Sequence, residues 1–194
     1  GLELLPALPE GAERVQTELE FWTALASAQV ATDGYAAPSV GHSFRQAGEL
    51  GQRAGLSRPL FDALQGQWAF HVVRADLEIA LAATGRLQEI AEALGDPALR
   101  LEAVLRRGIT LGIGGQLAEA RRCLEETVVG SEVVEHRGSA YLFGQDRMVA
   151  AKCHLALILC LQGEIRQAVE TAEQAVALAR ELAHPFSLSW AYLY

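Results

Sequence analysis

The side chains able to do chemistry are few and scattered. Histidines stand at His42, His71, His136, His154 and His184. No two form an H-x-x-x-H pair, and none accompanies a cysteine pair at zinc-ligand spacing. Cys153 and His154 adjoin in sequence, but neighbours on a helix point about 100° apart, so sharing one ion is awkward. No metal site is expected. Cys123, Cys153 and Cys160 are odd in number and lack framework spacing, as suits reduced thiols. Cys153 and Cys160 lie seven residues apart, about 10 Å along a helix, which is beyond disulfide reach; both read as buried small hydrophobes.

Lys152 is the only lysine, and no glycine-rich phosphate loop contains it. The G-x-x-x-x-G-K-[ST] pattern is absent, as is the G-x-S-x-G of a strained serine elbow. The glycines of "GQWAFH" and "IGGQ" follow no strand, so they are not a dinucleotide fingerprint. The chain therefore reads as non-catalytic, with no cofactor. One charged constellation remains, Arg106, Arg107, Arg121 and Arg122, two on each side of a turn. Guanidinium forks could take an anionic ligand or a peptide carboxylate. The plainer reading, carried forward, pairs them at the surface with Glu102, Glu119, Glu125 and Glu126, each pair worth roughly 0–1 kcal/mol.

The elements that would position these residues are helices. The 194 residues are 51% hydrophobic with a formal charge of −8, enough to bury a core and the wrong sign for a nucleic-acid binder. The apolar run "LALILCL" is seven residues long, whereas a membrane helix needs about 20. The opening "GLELLPALPEG" has no basic leader and carries Pro6 and Pro9, unlike a signal peptide. A cytoplasmic location is expected.

A ruler runs through the chain. From Gly163, alanines follow at plus five and plus twelve, Ala168 and Ala175, with Ala156 at minus seven; from Gly115 the same places hold Ala120, Thr127 and Gly108. From Ala75 they hold Ala80, Leu87 and Trp68. A weaker copy starts at Gly34, with Ser39 and Gln46. The anchors are separated by 41, 40 and 48 residues, long enough for one helical hairpin and a connection. The expected reason is steric: small residues let two helices cross closely beside their turn.

Apolar residues at three- and four-residue spacing, and prolines at 9, 38, 59, 97 and 185 where helices should begin, predict helices near 10–32, 37–54, 59–74, 76–94, 97–112, 116–130, 145–162, 164–182 and 185–194. No stretch reads as strand. The aromatic set Trp22, Tyr35, Phe44, Phe61, Trp68 and Phe70 is assigned to the core. Residues 128–146 are an insertion, either a plug in which Tyr141, Leu142 and Phe143 cover an apolar edge or a loop that carries function.

The ruler, with glycine at minus seven in the Gly108/Gly115 unit, resembles the tetratricopeptide repeat, although its period exceeds that family's 34 residues. More specifically, "ATDGYAAPSV", "WAFHVVRADL", "GDPALRLEA", "HRGSAYLFGQD" and "ARELAHPFSLSWA" resemble the C-terminal repeat region of large bacterial multidomain ATPases. There the repeats follow an ATPase module, often joined to a class III adenylate/guanylate cyclase or a DNA-binding output domain. The resemblance implies an all-α right-handed superhelix of antiparallel hairpins, one tetratricopeptide-like domain over 1–194, with hairpins near 10–54, 59–94, 97–130 and 145–182 and a further repeat starting at 185–194. It implies a signalling segment and carries over no catalytic residue.

By analogy with that family, the concave binding face comprises Gln65, Ala69 and Val72, then Glu102, Arg106 and Ile109, then Cys153 and Leu157. Two functions fit. The first is a non-catalytic scaffold binding a protein or the chain's own upstream domains. The second is a small-molecule sensor enclosing its ligand in the superhelix, with 128–146 as a lid. The final "HPFSLSWAYLY" starts a helix that has no cap. The sequence is therefore expected to be a fragment, pairing as a weak homodimer through this helix at Trp190 or Tyr194.

Overall fold

The computed structural model describes residues 11–55, 57–134 and 145–194. Among them are nine α-helices and no strand: α1 Ala12–Asp33, α2 Pro38–Ala54, α3 Arg58–Val73, α4 Leu77–Leu94, α5 Pro97–Ile113, α6 Leu117–Val133, α7 Arg147–Leu161, α8 Ile165–Glu181 and α9 Pro185–Leu193. The expected helices match to within about three residues at either end. The helices fall into two compact units, 1–96 and 97–194. In the first, α1 packs on α2, α3 on α4, and α3 also on α1 and α2. In the second, α5 packs on α6, α7 on α8, α7 also on α5 and α6, and α9 on both α7 and α8.

Helix starts follow from local chemistry. Proline opens α2, α5 and α9 and is the second residue of α3, where its missing amide hydrogen costs nothing. Three caps add side-chain acceptors: Ser57 Oγ takes the amide of Leu60, Asp146 Oδ1 that of Val149, and His184 Nδ1 that of Ser187, each satisfying an otherwise orphaned donor.

The ruler has two physical causes. Its anchors Ala75, Gly115 and Gly163 all have positive φ, at 62°, 79° and 84°. Around each, the next amide donates back five residues, Asp76 to His71, Gln116 to Leu111 and Glu164 to Leu159, all at 2.9 Å. This is the left-handed helix stop that glycine suits best. The steric expectation is corrected for these anchors, since a Cβ at Gly115 or Gly163 would meet nothing within 4 Å. Backbone conformation selects glycine there.

Close crossing acts at the other marks. Ala80, Ala120 and Ala168 at plus five, and Leu87, Thr127 and Ala175 at plus twelve, are all buried. Gly108 at minus seven would place a Cβ 3.0 Å from Cys123 Cβ. The Gly34 copy is out of phase because α2 starts four residues after its anchor instead of two. Val40 and Ala47 are buried one place beyond Ser39 and Gln46, which are only half-buried.

Within the insertion, residues 128–133 continue α6; Tyr141, Leu142 and Phe143 lie outside the described residues, as do Pro9 and residue 10. Cys153 is buried, but Cys160 is exposed, correcting the expectation that both are core. Phe44, Phe61 and Trp68 are core, Trp22 and Phe70 are half-buried, and Tyr35 is exposed. Tyr35 sits in the connection between α1 and α2.

Candidate functional site

The eight residues expected on a binding face have different environments. On α3, in the first unit, Gln65 is buried and Ala69 and Val72 are half-buried. In the second unit Glu102, Arg106 and Ile109 of α5 and Cys153 of α7 are buried, while Leu157 is 44% exposed. Only Leu157 presents an open apolar surface.

The second unit holds the only charged side chains buried among the described residues, Glu102, Arg106, Asp146 and Arg147. Glu102 and Arg106 lie one turn apart on α5, with Arg106 Nη2 3.2 Å from Glu102 Oε2. Arg147, at the start of α7, brings Nη1 within 3.6 Å of the other Glu102 oxygen. Its guanidinium also donates to Ser131 Oγ at 3.0 Å, to the Ala98 carbonyl at 3.2 Å and to the Val134 carbonyl at 3.4 Å. One side chain thus ties the start of α5 to the end of α6. Burying charge is costly unless an opposite charge is at hand, and Glu102 lies between the guanidinium groups of Arg106 and Arg147.

The surface pairing expected for the four arginines is corrected at Arg106, whose pair with Glu102 is buried because α5 turns both residues inward. Arg122 and Glu119 form a loose exposed pair at 3.9 Å. Arg121 pairs with Glu125 on its own helix and reaches Gln162 and Glu164 on the next hairpin. Its two carboxylate partners hold its guanidinium above its usual range. Glu126 takes Arg100. Arg106, Arg121 and Arg122 are therefore turned to separate carboxylates and do not form a single anion cradle.

Beside the charges lies an aromatic group. His154 meets Tyr194 edge-on with ring centroids 4.8 Å apart, and the Tyr194 hydroxyl lies 3.2 Å from His154 Nδ1. Trp190 stands 6.3 Å from the histidine and 5.6 Å from Tyr194. Burial, and secondarily the Arg106 charge, pushes His154 down to about 3, so its imidazole is neutral at physiological pH and is no proton donor there. Burial pushes the Cys153 thiol up to about 12, which removes the thiolate that nucleophilic chemistry requires. Neither group is tuned toward neutral pH as a general acid or base would be.

Among the described residues no group of three or more His, Cys, Asp or Glu could hold a metal ion, and no helix is long and apolar enough to cross a membrane. No family model matches the chain, and no curated protein matches it. Sequence reasoning missed Arg147 and the pairing of His154 with Tyr194. The first left a signal, an arginine next to the cap at the start of the largely apolar helix "DRMVAAKCHLALILCL". The second left none, because its partners are 40 residues apart.

Proposed function

We propose that this chain is a non-catalytic helical-repeat module, a right-handed superhelix of antiparallel hairpins that binds a protein in trans or the upstream domains of its own polypeptide. The observation that carries the reading is the repeated hairpin stop at Ala75, Gly115 and Gly163 with the same buried marks beyond it. Such units stack and expose an extended surface for partners. On the resemblance already given, the partners are the ATPase, cyclase or output domains of a bacterial signalling protein, and the setting is cytoplasmic.

The test uses a purified ATPase module and a class III cyclase domain as probes, titrated with the native chain and with Ala69→Arg/Val72→Glu, which alters half-buried positions on α3. Binding to either probe that the double variant weakens at least tenfold, with its helical content and melting temperature retained, supports the scaffold. Failure of both probes to bind overturns the own-domain form of the proposal. The chain alone is expected neither to hydrolyse ATP nor to form a cyclic nucleotide.

A second reading, a small-molecule sensor, is favoured by the buried polar group Glu102, Arg106 and Arg147. Proteolysis with and without pooled cell metabolites separates the two. Ligand-dependent protection of the second unit selects the sensor, and unchanged cleavage selects the scaffold.

A further inference from the structure

We propose that His71 is a phosphoryl-acceptor side chain whose donor is an acyl phosphate, with Asp76 holding its ring and Arg74 receiving the incoming oxygens. His71 lies in the last turn of α3, and Asp76 immediately precedes α4. The imidazole Nδ1 stands 3.2 Å from Asp76 Oδ2. A carboxylate only accepts, so Nδ1 carries the proton and Nε2 the lone pair. Nε2 has no hydrogen-bond partner among the described residues and is open to solvent, the side chain being 24% exposed. Arg74 Nε donates to the same Oδ2 at 3.3 Å, which leaves both terminal nitrogens of its guanidinium for a ligand. The Phe70 ring steers both groups: His71 meets it edge-on at 5.1 Å, and Arg74 lies over it at 5.3 Å. The hydrogen bond from His71, ahead of that from Arg74, holds the Asp76 carboxyl below the usual carboxylate range.

The hairpin stop does not require this trio. The stops at Gly115 and Gly163 close with the same backbone bond. There the places of His71 and Asp76 are taken by Leu111 and Gln116, and by Leu159 and Glu164. Both leucines are buried. His71 is thus a polar, half-buried side chain in a slot that the other hairpins fill with a buried leucine, and its carboxylate partner stands where they place no aspartate.

An imidazole so held has an open lone pair at Nε2 for a metal ion or an electrophile. A metal ion needs further ligands, and no group of three or more His, Cys, Asp or Glu among the described residues supplies them. An electrophile needs only the lone pair. The guanidinium fork beside it suits a group with several anionic oxygens, which a phosphoryl group has and an acyl group lacks. No glycine-rich phosphate loop occurs in the chain, so the matching donor is one that brings its own activated bond, an acyl phosphate. In the step, the Nε2 lone pair forms the N–P bond as the P–O bond to the acyl oxygen breaks, and the carboxylate leaves with that electron pair. The Nδ1 proton stays on the ring, and Asp76 balances the positive charge the ring acquires.

The test treats the full chain with acetyl phosphate, follows the product by intact mass and phosphorus NMR, and maps the label by fragmentation. One phosphoryl group is expected on His71, lost in acid and retained in alkali as a phosphoramidate is. His71→Gln should abolish it. Asp76→Asn should slow it by about tenfold or more, the scale on which an orienting carboxylate acts, with helical content and melting temperature retained. Arg74→Gln should slow phosphorylation while leaving acylation of His71 by diethyl pyrocarbonate unchanged, a split that a merely structural role would not produce. If Asp76→Asn melts early, the native chain labelled in urea replaces it, since its unfolded histidines give the undirected rate. Absence of label overturns the proposal, as does label spread evenly over His42, His71, His154 and His184, or a His71 rate unmoved by Asp76→Asn or by unfolding. Labelling by ATP and not by acetyl phosphate overturns the donor class. No partner domain is needed, so the outcome is separate from the binding titration above.

Discussion

The two units solve the same packing problem with different materials. In the first, glycines form sockets for rings and one long side chain, and at Gly51 for Leu60 and Leu19. A Cβ at Gly66 would lie 2.0 Å from the Phe44 ring, one at Gly41 2.5 Å from Phe70, and one at Gly48 would strike Gln67, whose amide donates to the Phe44 carbonyl at 2.7 Å. In the second, the neighbours at glycines are small or aliphatic, with Leu101 at Gly130, Cys123 and Leu124 at Gly108, and Ile158 at Gly112. Among the described residues, that unit alone takes charges into its interior.

The charge ledger differs accordingly. Residues 1–96 carry six basic against thirteen acidic side chains, a net of −7, and residues 97–194 carry ten against eleven, a net of −1. Among the described residues, the first unit keeps its acids out of a core that holds Phe44, Phe61 and Trp68. The second pairs charges across helices, at Arg147 in the core and Arg121 at the surface. A shape-matched core resists added volume, whereas an ion-paired core resists loss of a partner.

Arg147→Met tests that contrast most severely. It removes the donor shared by Ser131, Ala98 and Val134 and one of the cations facing Glu102, and should cost about 3–5 kcal/mol. Urea unfolding gives the size, and hydrogen exchange should place the loss in α5, α6 and α7. A loss below about 1 kcal/mol would mean that the charge network is dispensable.

Acid should act on the second unit through His154. Its folded value of about 3 lies below its ordinary 6.5, so between these values the unfolded chain binds more protons than the folded one. Stability is then lost as pH falls from 6.5, by at most about 1.4 kcal/mol per pH unit. The Arg106 charge acts on the ring and the Tyr194 hydroxyl lies 3.2 Å from it, and neither a guanidinium nor a phenol changes charge in that window. Comparing urea midpoints at pH 7 and about pH 5, His154→Gln should lose less than the native chain.

Gly66→Ala probes the ring-filled unit. The new methyl meets a Phe44 ring that is itself buried, and a loss of about 1–3 kcal/mol is expected from overpacking. Gly85→Ala, where a Cβ meets nothing within 4 Å, should instead be neutral or stabilising, since alanine is the better helix former. Equal effects at the two positions would dissolve the distinction.

The smallest expected effects come from the hairpin stops, which both units share. Gly115→Ala should cost about 1 kcal/mol because its φ of 79° disfavours a side chain. Ala75→Gly should stabilise by about 0.5–1 kcal/mol, since alanine already sits there at 62° and glycine removes the left-handed penalty less its own unfolded-state entropy. Matching signs for the two substitutions would show that backbone conformation is not what the anchors share.

The sequence by itself determined the helices, their turns and the phase of three hairpins. Proline starts, left-handed stops and four-residue apolar spacing act within one or two turns, and such local rules are written in adjacent residues. It also marked Ala80, Ala120 and Ala168 as interior, because burial of one helix face repeats with the helix period. Only the tertiary structure decided which polar residues go inside. Glu102 and Arg106 have the spacing of an ordinary surface pair, and what buries them is α5 packed between other elements. The Arg147 ties to Ala98 and Ser131, and the contact between His154 and Tyr194, join positions 49, 16 and 40 residues apart. Leu157 and Leu161 of α7 continue the four-residue spacing of the buried Val149 and Cys153 and yet are exposed. Pairing across such separations is set by how helices stack, and helix periodicity alone does not encode it.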